Sequence, residues 1–359
     1  MIEPERLRPA VDIIIPHFRG LEMLERSLES LEKTRYPSMG IIVVDNGGDQ
    51  AGLVFLVKRF RNARLLRLRE NKGYAGGCNE GLRFSSAEYL VFMNDDTEHD
   101  PFWLEHLVQS AEADKGIGAL QPKILSLKAW RKRQRVFDYA GAAGGMIDRF
   151  GYPWCLGRNF MRIEQDSGQF DKSQEIFWAS GVALFARRSV IEQVGGFDER
   201  FFMHMEEIDL CWRMKLAGFS IRSQPLSVVF HEGAASMPEG SAEKIFLNHR
   251  NNITMLLKNR GALSLLPVVS VRLFLEFAAA LFYLMQGSGG VKKFRAVFRA
   301  LRQNAQYLPE TLSKRKLIQG SRKISDRELF RDMPFSLFLR KLNQFTFLVR
   351  KGGPRRSYP

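Results

Sequence analysis

Residues 89–100 read YLVFMNDDTEHD. An apolar run, Tyr89–Met93, stops at Asn94-Asp95-Asp96-Thr97, and Glu98 and Asp100 follow. Two readings of this edge are open. It is the carboxyl end of a buried strand that offers carboxylates to a ligand. Alternatively, Asp96 or Thr97 caps a helix that begins near Pro101.

Working outward, three more apolar runs precede it: Val11–Pro16 (VDIIIP), Gly40–Asp45 (GIIVVD) and Ala63–Leu68 (ARLLRL). Between them, Leu21, Leu24, Leu28 and Leu31, and then Leu53, Leu56, Val57 and Phe60, recur at helical spacing. Strands that are apolar throughout, alternating with helices, predict an α/β fold with a parallel sheet covered on both faces. The strand ends are then Pro16-His17-Phe18, Asp45-Asn46-Gly47-Gly48, Asn71-Lys72-Gly73 and Asn94-Asp95-Asp96. All four carry polar or turn residues on the side where open α/β sheets bind ligands.

Residues 121–170 are irregular, with a Gly-rich stretch (141–145) and a basic cluster at Trp130-Arg131-Lys132-Arg133. Order resumes at 177–202, where VALFA predicts a strand, SVIEQV a helix and Gly195-Gly196 its stop. An amphipathic helix ending at Gly218 and a short strand, PLSVVFHE, follow. This divides the chain into residues 1–237 and a helical region, 238–359.

The chain has 359 residues, 45% of them hydrophobic, which is ample for a large core. Cys78, Cys155 and Cys211 lie far apart without a CxxC pair, which suits a reducing compartment and gives no zinc framework. The opening MIEPERLRPAVDIII lacks the form of a signal peptide, so a cytoplasmic location is expected. The net charge of +15 is uneven: from Val291 onward there are 18 Lys/Arg against 4 Asp/Glu. A basic C-terminal segment on a near-neutral body suits an anionic surface. Its basic residues alternate with Leu, Phe and Ile, which fits a membrane interface better than nucleic acid.

Residues 262–286 are mostly apolar, interrupted by Arg272 and Glu276 on one helical face. One or two helices lying on a membrane are expected here. The alternative is helices packed on the main domain or on a second copy in a homo-oligomer.

The glycines of NKGYAGGCNEG (71–81) lack both GxGxxG spacing and a GK[ST] ending. That argues against a dinucleotide oxidoreductase and a P-loop NTPase. Asp96 at a strand end suits a hard divalent cation, which commonly holds a diphosphate through one or two carboxylates. Glu206-Glu207-Ile208-Asp209 puts three carboxylates at a helix N-terminus. The helix dipole alone accounts for one or two of them, and Glu207 is a candidate general base. His231, ending a strand, is either a metal ligand or structural.

Taken in order, IIIPHF, VVDNGG, NKGYAGGCNEGL, FMNDDT, SGVALFARR, VGGFDERFFMHMEEIDLCWRMKLAG and HEGAAS resemble the family 2 glycosyltransferases, in particular their bacterial rhamnosyltransferase-like branch. The likeness spans about residues 10–237, and the family commonly continues with an Asn-rich helix such as NHRNNITMLLKN (248–259). The resemblance implies a GT-A fold and inverting, Mn²⁺- or Mg²⁺-dependent sugar transfer from a nucleotide-diphosphate sugar to a saccharide or lipid-linked acceptor. It implies a role in cell-envelope polysaccharide synthesis at the inner face of the cytoplasmic membrane.

It also assigns a donor site to Pro16, His17, Asp45, Asn71, Gly73, Asn79, Asn94, Asp95 and Asp96, with Asp45 toward the nucleobase. Asp96 and His231 are the implied metal ligands, and Asn94 stands where the family pattern has its first Asp. The base is Glu207 or Asp209, with Glu206 and Trp178 on the acceptor side. Core packing is the other reading of Trp178. A nucleotide-sugar pyrophosphorylase would need a Gly-rich loop after the first strand, where HFRGLEM stands instead. A non-catalytic nucleotide- or carbohydrate-binding module would keep Asp45 without needing Asp96 or Glu207.

Overall fold

The computed structural model describes residues 8–48, 51–159, 162–233, 237–287 and 289–336. The first seven residues, Ala234–Ser236 of the HEGAAS stretch and the basic tail beyond Ser336 lie outside these. The centre is a nine-stranded sheet. Its strands are β1 Val11–His17, β2 Met39–Asp45, β3 Ala63–Arg67, β4 Tyr89–Met93, β5 Thr97–His99, β6 Ile117–Ser126, β7 Glu175–Ile176, β8 Ala183–Arg187 and β9 Ser220–His231. The spatial order is β7-β9-β6-β8-β4-β1-β2-β3, with β5 paired to β9.

β3, β2, β1 and β4 run parallel. They are joined by α1 (Leu21–Leu31), α2 (Ala51–Lys58) and α3 (Gly73–Phe84). Successive side chains point to opposite faces. Ile14, Ile42, Val44, Leu90 and Phe92 enter one core, and Ile13, Ile15, Ile41, Val43, Val91 and Met93 enter the other. Two buried faces explain why these strands are apolar without alternation.

Beyond β4 the sheet is mixed. β8 lies antiparallel between β4 and β6, while β9 runs parallel to β6. β6 was not anticipated, because Gln121-Pro122-Lys123 in its middle reads as a break. Each buried polar group there is matched. Gln121 Nε2 donates to Gly141 O at 3.1 Å and its Oε1 accepts from Ser180 N at 2.9 Å. Lys123 Nζ pairs with Asp166 at 3.0 Å. β9 begins five residues before the expected PLSVVFHE, and an irregular register between Gln224 and Val228 accommodates Pro225.

Neither Asp96 nor Thr97 caps the next helix. Thr97–His99 forms β5 against β9. α4 (Trp103–Ala113) follows, with Asp100 Oδ1 accepting from Phe102 N at 3.0 Å. The chain continues through α5 (Leu127–Trp130), α6 (Arg188–Val194), α7 (Glu206–Leu216), α8 (Ala242–Asn259), α9 (Ala262–Leu284), α10 (Gly290–Gln306), α11 (Leu308–Gly320) and α12 (Asp326–Leu329).

α9 is a single helix, continuous through Pro267, and is long and apolar enough by length and composition to cross a membrane. Its polarity is reversed from that of an ordinary surface helix. Arg272 and Glu276 are buried, pairing at 2.6 Å, and Arg272 also donates to Asn252 Oδ1 at 2.6 Å. Leu266, Phe274, Phe277 and Phe282 are exposed.

α8 is tied to α7 by a buried cation. Lys258 Nζ lies 2.5 Å from Asp198 Oδ2 and 3.0 Å from Asp209 Oδ2. Removing one member of a buried ion network leaves uncompensated charge. Asp198 keeps Lys314, and Asp209 keeps Arg213 and Asn259. Lys258→Met is therefore expected to destabilise the fold by about 3 kcal/mol. A shift in the urea unfolding midpoint at unchanged slope measures it, and a wild-type midpoint would contradict the role.

Candidate active site

The strand order reverses between β1 and β4. In open α/β sheets, ligands bind in the crevice at such a switch point. His17, ending β1 after Pro16, and Asp95, just past β4, meet there, with Nδ1 and Oδ2 2.6 Å apart. One strand further, Asp45 ends β2. Its Oδ2 accepts from Arg67 Nε at 3.2 Å and its Oδ1 from Gly48 N at 3.1 Å.

Asn46, which the sequence analysis did not single out, stitches this edge to α3. It accepts from Lys72 N at 2.9 Å and donates to Gly73 O at 2.8 Å. The Gly-rich loop serves packing within the protein. Asn71 Oδ1 accepts from Gly73 N at 2.8 Å. Gly73 has φ +69°, and a Cβ there would lie 2.2 Å from Phe202 O, so only glycine fits. Asn79 clasps the 197–199 turn through Phe197 N, Phe197 O and Glu199 Oε1.

Asp96 and His231 come together as the motif order implied. Pairing of β5 with β9 sets His231 opposite Thr97, and Glu232 N donates to Asp96 O at 3.0 Å. His231 Nε2 is 3.1 Å from Asp96 Oδ1 and 3.3 Å from Asn94 Nδ2. Its Nδ1 is 2.9 Å from Asp138 Oδ1. A carboxylate on the far nitrogen of a ligating histidine fixes the tautomer and aims the ring. Asp138 was missed because it lies in the irregular 121–170 stretch. Burial opposes charge on His231, but hydrogen bonds with Asp138 and Asp96 outweigh it and lift the imidazole to about 10.

Among the described residues no group of three His, Cys, Asp or Glu side chains forms a complete cage. Two donors with Asn94 beside them instead suit a cation whose remaining positions are filled by substrate oxygens.

Glu206 and Glu207 open α7 and are both buried deep enough to perturb ionisation. Desolvation pushes both carboxyl groups up, Glu207 to about 7, and the neighbouring Glu207 adds to the rise of Glu206. The Oε2 atoms of both are buried with no hydrogen-bond partner. The turn before them is left-handed at Phe202 (φ 64°), His204 (φ 69°) and Met205 (φ 72°), each disfavoured for a side chain with a Cβ.

Asn251 of α8 holds this turn, donating through Nδ2 to Phe201 O, Met203 O and His204 O at 3.0, 2.9 and 2.7 Å. Arg250 adds bonds to Arg200 O and Phe201 O. No pattern within residues 200–207 reveals these partners, which come from about 50 residues downstream.

Asp209, the other candidate base, is fully buried and engaged by Arg213, Lys258 and Asn259. Trp178 is also buried. Its ring lies on the backbone of Gly145, where a Cβ would come within 2.1 Å, and its Nε1 donates to Met146 O. The turn before Glu206 also lies against the start of α3, where Ala75 N donates to Phe202 O at 3.2 Å.

Comparison with known proteins agrees with this geometry. The family model "Glycosyl transferase family 2" matches residues 12–195. The N-acetylglucosaminyl-diphospho-decaprenol L-rhamnosyltransferase of Mycobacterium tuberculosis is 28% identical over 249 residues, covering 65% of this chain and 79% of that protein. The O-antigen biosynthesis protein RfbC of Myxococcus xanthus is 28% identical over 238 residues, 65% of this chain but 18% of that longer protein. Among solved structures, GalNAc-T7 with UDP, GalNAc and Mn²⁺ aligns over 80% of this chain and 54% of its own, with a TM-score of 0.56 and 15% identity. The fold is thus of the GT-A type expected from the sequence. The chain belongs to glycosyl transferase family 2, and it is a glycosyltransferase.

Proposed function

We propose that the enzyme moves a sugar from a nucleotide-diphosphate donor to a hydroxyl of a saccharide or lipid-linked acceptor, with inversion, in cell-surface polysaccharide assembly. The donor would be of the kind used by rhamnosyltransferases, following the Mycobacterium tuberculosis relative. The carrying observation is the pairing of Asp96 with His231 at the strand ends, together with Glu207 at the head of α7, whose Oε2 is buried with no hydrogen-bond partner.

In this reading Asp45 receives the nucleobase, and His17 with Asp95 lines the crevice beneath the donor. Asp96 and His231, beside Asn94, would hold Mn²⁺ or Mg²⁺, with His231 giving up its Nε2 proton on binding; the cation would supply neutralisation of charge on the departing diphosphate. Asp138 keeps the His231 ring aimed. Glu207 accepts the proton of the acceptor hydroxyl. That oxygen bonds to the anomeric carbon as the bond from this carbon to the diphosphate oxygen breaks, and the diphosphate leaves with the electron pair. Glu206 stands beside Glu207 at the start of α7, on the acceptor side. Asp209 is engaged by Arg213, Lys258 and Asn259 and positions α7.

Asp96→Ala and Glu207→Gln should each lower turnover by about 10²-fold or more. Full activity in either variant removes its assigned role. A thermal-shift screen of nucleotide-sugars with Mn²⁺ or Mg²⁺ identifies the donor, and His231→Ala should weaken the metal-dependent part of that shift.

Glu207 must be unprotonated to act. Its folded-state pKa is raised to about 7. Turnover should therefore fall as pH drops below about 7 and level off above it. A Glu207→Gln enzyme that keeps the same acid limb would show that another group controls it.

We further propose that the enzyme is cytoplasmic and rests on the inner face of the membrane through the outward apolar face of α9. Phe274→Ser with Phe277→Ser should reduce sedimentation with lipid vesicles several-fold. Undiminished sedimentation would exclude α9 as the contact.

A further inference from the structure

A cavity of about 1120 Å³ opens where α9 begins, away from the strand ends. Arg149, Arg260, Arg322, Arg327 and Arg331 line it, against the carboxylates of Asp326 and Glu328. Asp326 is already engaged. It accepts from Gly261 N at 2.9 Å, pairs with Arg260 Nε at 3.3 Å, and also receives Arg322 and the Ser264 hydroxyl. The lining therefore keeps an excess of positive charge.

Arg260 carries that excess inward. It is only 6% exposed, its guanidinium lies over the Phe330 ring at 4.1 Å, and its Nη1 has no hydrogen-bond partner. Burial, with Arg322 and Arg149 nearby, lowers its pKa despite Asp326. The cavity also meets the N-terminus of α9, where Asp326 takes the Gly261 N–H and the first turn itself has no acidic residue. Backbone N–H groups and the positive end of the helix dipole suit an anion at such a point.

The rim is apolar on one side. Leu263 lines the cavity and is 99% exposed, and Leu266, 76% exposed, leads on to Phe274 and Phe277 along α9. A ligand with an anionic head and hydrocarbon chains matches both parts. The chain's own residues 337–359 do not, since they carry six Lys/Arg and no Asp/Glu.

The cavity is separate from the catalytic centre. Lys323 N and Ile324 N donate to Leu216 O, at the C-terminal end of α7. Glu206 and Glu207 begin that helix, about 15 Å away at 1.5 Å per residue.

We propose that this cavity binds the phosphate headgroup of an anionic membrane lipid, with its chains along the outer face of α9. The proposal rests on the interfacial reading of α9 and is independent of the transfer chemistry. The test is sedimentation of the full chain with vesicles of phosphatidylcholine alone or mixed with phosphatidylglycerol. Arg149→Gln/Arg327→Gln/Arg331→Gln removes three exposed cavity charges. Lys58→Gln/Arg61→Gln/Arg69→Gln removes as many near the far sheet edge.

The cavity variant should melt like wild type yet bind the mixed vesicles about tenfold or more weakly, while the control stays close to wild type. Equal binding by wild type and the cavity variant overturns the site but leaves the α9 contact standing. Equal losses in both variants also overturn it, by reducing the effect to net charge. Wild type that sediments with neither vesicle overturns both the site and the interfacial reading. Calorimetric titration separates the ligand sources. Saturable binding of dihexanoylphosphatidylglycerol, lost in the cavity variant, supports the lipid, and equal affinity for inorganic phosphate overturns it.

Discussion

One buried ammonium group holds the architecture together. Lys258, on α8, sits between Asp198 and Asp209, and both carboxylates are buried. Desolvating three ions is costly, and only close geometry and additional hydrogen bonds offset it. Arg213, Asn259 and Lys314 supply those bonds. The result is a fixed relation between the 197–201 turn, helix α7 and the helices that follow the sheet. Apolar packing of α7 on α8 would allow sliding between similar ridges, but a shared cation between two fixed carboxylates permits one register.

That register matters because Glu207 is presented by a backbone that does not hold itself. Three left-handed residues within four positions store strain of order 1–3 kcal/mol each. Asn251 and Arg250 supply donors to carbonyls through the turn, those of Arg200, Phe201, Met203 and His204. The strand ends need no such support, since His17, Asp45 and Asp95–Asp96 follow strands fixed by ladder hydrogen bonds. The site therefore joins a rigid half built on the sheet to a half held in place by α8.

The rigid half was legible in the sequence for a physical reason. Doubly buried parallel strands must be apolar throughout, so YLVFM marks β4 and the break at Asn94 marks its ligand-facing end. The order of EEIDLCWR and His231 after it pointed to both carboxylate groups of the proposed site. What escaped reading depends on partners distant in the chain. β6 carries Gln121 and Lys123 into the core, and only Ser180 and Asp166 make them tolerable there. Asp138 becomes meaningful only once β9 brings His231 against it. The choice between Glu207 and Asp209 is undecidable from a helix start, because the cations that engage Asp209 come from both its own helix and α8. Arg272 and Glu276 looked like interruptions of a membrane-facing surface, yet they are the inward face of α9.

The clamp on residues 200–204 has a consequence for how the enzyme fails. Its hydrogen bonds come from α8, so they loosen with the α7–α8 contact, while the strand ends proposed to receive the donor rest on the sheet. Gentle heating or extraction into detergent that disturbs the C-terminal helices would release the strained turn first. The enzyme would then pass through a state that still captures its nucleotide-linked donor but has lost alignment for transfer. Retained nucleotide affinity in a purified sample would consequently be a poor gauge of whether the molecule is intact.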